Sequence, residues 1–99
     1  MLKHIVFWKL KGQAHGNNKA VNAVLIKKKL ENLGGKIDGL LHIEVGCDVL
    51  GGANYDLALY AELTDKTALD RYQNHPLHQA ELPFIRDAVE DRKAVDYEI

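Results

Sequence analysis

The strongest constraint on the fold is the strict alternation of side chains near the amino terminus, because both alternating sets contain large apolar groups. One set comprises His4, Val6, Trp8 and Leu10. The other set comprises Lys3, Ile5, Phe7, Lys9 and Lys11. A period of two predicts a β-strand, and apolar side chains in both sets indicate a strand that is covered on both faces. Each face of the strand must therefore be buried, either by another part of this chain or by a second molecule.

A helix is predicted for residues 19–33. Its apolar stripe comprises Val21, Val24, Leu25 and Leu33, widened by Ile26 and Leu30. Asn17 or Asn18 is placed to cap this helix, and Gly34-Gly35 is placed to end it. The preceding residues, 12–18, read as a polar loop.

A β-hairpin is predicted next, from two alternating segments at residues 40–49 and 55–63 that flank a glycine-rich turn. In the first segment Leu41 is expected on the buried face together with Cys47, and Leu40 on the other face. A thiol in that position is expected to behave as a small hydrophobe.

A second helical region is predicted to begin at Thr64 or Asp65 and to run to about Glu90. His75-Pro76 interrupts it, since the residue before a proline disfavours helix, and Pro83 predicts a further break near Leu82. A short strand over residues 92–98 completes the chain.

The resulting order, βαββαβ, predicts an α+β ferredoxin-like fold with a four-stranded antiparallel sheet and helices on one face, in a single domain over residues 1–99. Two helices cover only one face of such a sheet. Ile5 and Phe7 would then stand on a bare apolar face, which usually marks an interface. Two such sheets packed face to face form a dimeric α/β barrel, so we expect a homodimer with Ile5 and Phe7 in its interface.

Composition excludes several classes of function. The net charge is −1, without the basic surplus of a nucleic-acid-binding protein, and no apolar run approaches the ~20 residues of a membrane span. A single cysteine, Cys47, excludes an internal disulfide and is compatible with a reducing compartment. We therefore expect a cytoplasmic protein that binds neither nucleic acid nor membrane.

Four segments resemble the stress-responsive dimeric α/β-barrel (Dabb) family. They are the opening MLKHIVFWKLK, residues 55–60 (YDLALY), residues 72–78 (YQNHPLH) and the ending from Val89 to Tyr97. The resemblance covers essentially the whole chain, and its most specific part is the Tyr-x-x-His-Pro-x-His element. It implies a ferredoxin-like homodimer without a single activity, because members include proteins of unassigned function, stress-associated plant proteins and a polyketide cyclase.

The similarity to the cyclase implies roles for three side chains. His78 would act as a general base that removes a proton next to a carbonyl, and Tyr72 would stabilise the oxyanion that forms. His4 also matches this set. An enzyme of cyclase or monooxygenase-like type is therefore one alternative.

The residues themselves predict a ligand cleft, because the His4 face of the first strand would look toward Tyr72 across the space between sheet and helices. The expected ligand-binding residues are Val6, Trp8, Leu10, Tyr72, His75 and Leu77. The leading hypothesis is thus a homodimer that binds a small apolar or aromatic molecule in this cleft, in a stress or metabolic context.

Two further interpretations concern the histidines. His75-Pro76 is also typical of a purely structural helix cap, which would fit an assembly subunit without chemistry. His75 and His78, with His42 or an acidic residue, form only a weak zinc or copper pattern. We expect no metal and no cofactor.

Overall fold

The alternating first segment forms strand β1 (Leu2–Leu10) inside a four-stranded antiparallel sheet of order β4-β5-β1-β6 in the computed structural model, which describes residues 1–99. The remaining elements are β2 (Gln13–Ala14), β3 (Asn17–Asn18), α1 (Lys19–Glu31), β4 (Leu40–Cys47), β5 (Leu57–Leu63), α2 (Lys66–Asn74), α3 (Pro76–Gln79), α4 (Leu82–Ala88) and β6 (Val89–Glu98). The predicted ferredoxin-like α+β fold is confirmed. The polar loop after β1 differs from the prediction, since it folds into the small β2–β3 hairpin.

Helix α1 begins where the sequence predicts and turns a different face toward the sheet. The Asn18 side chain caps it by accepting a hydrogen bond from the Val21 N–H at 2.9 Å. Val21 and Val24, however, are 44% and 45% exposed, so their assignment to the buried stripe is wrong. The residues that pack inward are Asn22, Ala23, Ile26 and Leu30. The buried polar Asn22 explains the error, because its amide donates to the Ala14 carbonyl and so occupies a position that a hydrophobic pattern ignores.

Strands β4 and β5 pair as the predicted hairpin, with one change of register. A bulge between Leu40 and His42 places two residues of β4 opposite one of β5, which reverses the faces at the start of the strand. Leu40 is consequently buried and Leu41 is 56% exposed, the opposite of the prediction. Cys47 is also exposed, at the end of the strand, so its expected burial is wrong.

The second helical region is divided into three helices at the two predicted breaks. The Asp65 side chain caps α2, and His75 separates α2 from α3 with an extended backbone before Pro76. Pro83 lies in the first turn of α4, where its missing N–H costs nothing. Helix α4 ends at Ala88, and β6 therefore starts three residues earlier than expected.

The two faces of the sheet have different environments. The helices pack on the face that carries Val6 and Trp8, and 19 buried residues form the core there. The opposite, outer face is partly open: Phe7 is 39% exposed, and Ile5 lies between Tyr60 and Val95 on the neighbouring strands. No helix of the structure is long and apolar enough to cross a lipid bilayer.

Candidate functional site

A cavity of about 730 Å³ lies between the inner face of the sheet and helices α2–α4. The apolar part of its wall comprises Val6, Trp8, Leu30, Leu59, Leu82 and Ile85. The polar part includes His4, Tyr72 and His78. Hydrophobic and polar residues contribute equally to the lining, and a concave pocket of this volume with convergent polar groups is a common form of small-molecule site.

His4 enters the cavity wall from the inner face of β1, where it is buried to 4% exposure. Asp96 lies directly opposite on β6, and its carboxylate accepts a short hydrogen bond from His4 Nδ1. Because a carboxylate only accepts, Nδ1 carries the proton when the imidazole is neutral. This leaves His4 Nε2 without a hydrogen bond to the protein.

Tyr72 projects from α2 between the two histidines. Its ring centroid lies 6.2 Å from that of His4, edge-on, and 4.5 Å from that of His78. Burial raises the pKa of the Tyr72 hydroxyl well above its usual range, so the hydroxyl stays protonated and can donate. Tyr72 is only 1% exposed, and its hydroxyl makes no hydrogen bond to the protein. Every polar side-chain atom that is fully sealed from solvent does have a hydrogen-bond partner, so the Tyr72 hydroxyl is not one of the sealed atoms. The hydroxyl is therefore reached from the cavity.

His78 lies on α3, where its Nδ1 atom is 3.2 Å from the carbonyl oxygen of Gln73. Nδ1 must donate in this bond, which leaves Nε2 as the basic nitrogen. Burial, and then the positive charges of His4, Arg86 and Arg92, lower the pKa of His78, although the hydrogen bond to Gln73 opposes the shift. A neutral imidazole with a free acceptor nitrogen can serve as a general base.

Three residues that the sequence assigns to the cleft lie outside its wall. Leu10 is buried in the core near the end of β1, where its N–H donates to Asp56. His75 caps α3, because its Nδ1 accepts the Leu77 N–H at 3.1 Å, and Leu77 is 43% exposed. The expectation that these three side chains line the cavity is therefore not met, although His78 of the same α3 segment does line it.

The histidines of the zinc or copper pattern, His42, His75 and His78, do not converge on one point. His42 lies on the outer face of β4, where it pairs with Glu44, whereas His78 lies on the helical side of the sheet. The structure contains no group of three His, Cys, Asp or Glu side chains placed to hold a metal ion.

Sequence reasoning missed Asp96, Arg86 and Arg92. Asp96 becomes visible only with the β1–β6 register, which a single sequence does not supply. Arg92 shares the inner face of β6 with Asp96 and lies opposite Trp8, so the alternation of β6 was the one available signal. Arg86 belongs to α4, whose rotation depends on how the chain breaks at Pro83.

Comparisons with known proteins extend over the whole chain. The family model of the stress-responsive A/B barrel domain (Dabb) matches residues 2–99. A dimeric protein of unknown function with a ferredoxin-like fold from Bacteroides fragilis is 34% identical, with a TM-score of 0.88 over 99% of this chain and 95% of its own. A dimeric ferredoxin-like protein of unknown function from Thermobifida fusca is 27% identical, with a TM-score of 0.85 over 99% of this chain and 90% of its own.

A more distant structure shows the range of proteins that share this fold. The hydroxynitrile lyase from Passiflora edulis is 20% identical, with a TM-score of 0.75 over 99% of this chain and 92% of its own. At this identity the likeness concerns the fold alone. No curated protein matches the chain.

Proposed function

Because this chain belongs to the stress-responsive A/B barrel domain family, we propose that it works as a homodimer that binds a small, largely apolar or aromatic molecule between its sheet and its helices. The observation that carries the ligand-binding part is the Tyr72 hydroxyl, which is buried, protonated and unpaired, and which faces a 730 Å³ cavity. Because this hydroxyl is reached from the cavity, a ligand carbonyl or hydroxyl bound there would accept its hydrogen bond.

The dimer part is supported by the outer face of the sheet. Ile5 and Phe7 lie there among Tyr60 and Val95, with no helix above them. The Bacteroides fragilis and Thermobifida fusca proteins, which share the fold over nearly their whole length, are dimeric. Burial of this face against a second copy would remove its apolar surface from water.

Ligand binding can be tested through Trp8, the only tryptophan of the chain, which lies in the cavity wall. A library of small aromatic and aliphatic carbonyl compounds is titrated against the protein, with Trp8 emission and the thermal midpoint as the two measurements. We expect saturable changes in both, and weaker binding to the Tyr72→Phe variant. If no compound changes either signal, ligand binding is contradicted, and the alternative of an assembly subunit without chemistry is favoured instead.

A second candidate is enzymatic, and the tautomer of His78 favours it. Nε2 of His78 would remove a proton from the carbon next to a ligand carbonyl, and the Tyr72 hydroxyl would donate to the oxygen on which negative charge develops. The resulting enolate carbon would attack a second carbonyl of the same molecule, whose C=O π bond opens to an alkoxide that takes the proton back from His78; this aldol-type addition closes a ring, as in a polyketide cyclase. Nothing in the cavity favours the monooxygenase-like alternative over this one.

The enzymatic candidate is tested with His78→Ala on a polyketide that the wild-type protein converts. We expect turnover to disappear while light scattering still reports the same assembly. Unchanged turnover in this variant would exclude His78 as the base.

A further inference from the structure

We propose that the molecule bound in this cavity is an organic anion, with an apolar body and a terminal carboxylate or phosphate held by Arg86 and Arg92. This inference rests on the proposed ligand-binding function and specifies the chemical class of its ligand.

The two arginines are positively charged groups of the wall that have no protein partner. Arg86 projects from α4 and Arg92 from the inner face of β6, and both line the cavity. The chain has three arginines, and the third, Arg71, is the only one in an ion pair, with Asp38. Arg86 and Arg92 form neither an ion pair nor a hydrogen bond, so their donors are available to a ligand.

The carboxylates near the cavity do not neutralise these arginines. Asp70 is the only acidic residue of the wall, and its Oδ1 accepts a hydrogen bond from the Asn74 side chain at 3.1 Å. Asp96 is engaged by His4 on the same face of the sheet. The positive charge of each arginine acts inside the cavity, since each one lowers the pKa of His78.

Guanidinium groups match an oxyanion in both charge and geometry. Each presents paired N–H donors that bind carboxylate or phosphate oxygens in a bidentate way, and such charge-assisted bonds are about twice as strong as neutral ones. The apolar part of the wall, which includes Trp8, Leu59 and Ile85, suits a hydrocarbon or aromatic body. A free inorganic anion would leave this wall unused, so the cavity fits an amphipathic molecule.

The test compares charged and neutral versions of one ligand. Arylalkanoic acids of increasing chain length, the matched amides and the matched aryl phosphates are titrated against the full chain, with Trp8 emission as the signal. The variants are Arg86→Gln/Arg92→Gln, in which both charges are removed, and Arg71→Gln, in which a charge is removed outside the cavity. Circular dichroism checks the fold of each variant, and Arg92→Lys keeps the charge without the bidentate geometry.

We expect the best acid or phosphate to bind at least about tenfold more tightly than its amide, which corresponds to one charge-assisted hydrogen bond. The preference should disappear in the double variant, persist in Arg71→Gln, decline partly in Arg92→Lys and weaken as salt is added. A stronger preference for either acid or phosphate would identify the oxyanion.

Two results would overturn the inference, and they differ in what else they exclude. Equal affinities for anion and amide, or a preference that survives in the double variant, would contradict the anion site and leave ligand binding intact. Absence of any Trp8 response across the whole panel would contradict the anion site and ligand binding together.

Discussion

The Nδ1 atom of His78 donates to the carbonyl oxygen of Gln73 across 3.2 Å, and this bond determines which nitrogen of the imidazole is basic. The carbonyl belongs to α2 and the imidazole to α3, so the bond spans the break at His75. The interruption that the sequence predicts as a helix break is therefore also what aligns His78 with the cavity.

The first prediction concerns the titration of His78. Burial and neighbouring positive charge lower its pKa below the usual 6.5, and Nδ1 should hold the proton in the neutral form. Long-range ¹H–¹⁵N NMR spectra recorded across the pH range measure both properties. The Arg86→Gln/Arg92→Gln variant should have a higher His78 pKa than Arg71→Gln, and equal values in the two variants would contradict the electrostatic assignment.

The same shift gives a pH dependence of stability. Because the folded pKa is depressed, the unfolded chain binds more protons than the folded chain between pH 6.5 and the folded pKa. The contribution of His78 to the free energy of unfolding is therefore fully present above pH 6.5 and is lost as the pH falls through the folded pKa. Urea denaturation of wild type and His78→Gln at several pH values should show a smaller loss on acidification for the variant.

The second prediction separates the hydroxyl of Tyr72 from its ring. Tyr72→Phe removes a hydroxyl without a protein partner and should change the free energy of unfolding by no more than about 0.5 kcal/mol. Tyr72→Ala removes a fully buried ring and should cost about 3–5 kcal/mol. Urea denaturation measures both, and a loss of several kcal/mol in Tyr72→Phe would show that the hydroxyl has a partner in the folded chain.

The third prediction concerns the outer face of the sheet. Phe7→Glu places a charge in the proposed interface beside its cross-strand neighbour Lys93. Taking a carboxylate and an ammonium group out of water usually costs more than their attraction returns, so we expect a monomer by light scattering. Val24→Glu introduces the same charge on the exposed face of α1 and should remain a dimer. A folded dimer of Phe7→Glu would place the interface elsewhere.

Apart from the β2–β3 hairpin, the order of strands and helical regions could be predicted from the sequence because each of these elements carries a local signal. Alternation defines β1, Asn18 and Asp65 cap their helices, and the prolines at 76 and 83 mark the breaks. Each of these signals acts within a few residues of the chain, so one sequence is enough to read them.

The faces of β4 and α1 could not be predicted because they depend on tertiary packing. The bulge at Leu40 changes the register only when β5 is paired, and Asn22 is buried because the β2–β3 hairpin offers it a carbonyl. The residues of the cavity wall also divide into those that the sequence alone indicates and those that tertiary packing brings in. His4, Tyr72 and His78 were found from the chain, whereas Asp96, Arg86 and Arg92 join them only when the strands pair and α4 is packed.

The fourth prediction compares two glycines that share a left-handed backbone conformation and differ in their surroundings. Gly39 has φ +85°, and a Cβ there would lie 2.7 Å from the Ala68 Cβ, whereas Gly35 has φ +77° and open space around it. Gly35→Ala should cost about 1–2 kcal/mol from the backbone conformation alone.

Gly39→Ala carries the same backbone cost together with about 1–3 kcal/mol of overpacking against α2, since Ala68 is fully buried and cannot move away. Urea denaturation of the two variants measures the difference between them, in which the conformational term cancels. Equal losses would mean that α2 shifts to make room. Because Tyr72 lies one helical turn beyond Ala68, such a shift should also change the Trp8 emission from the cavity wall, whereas a rigid α2 would leave that emission unchanged.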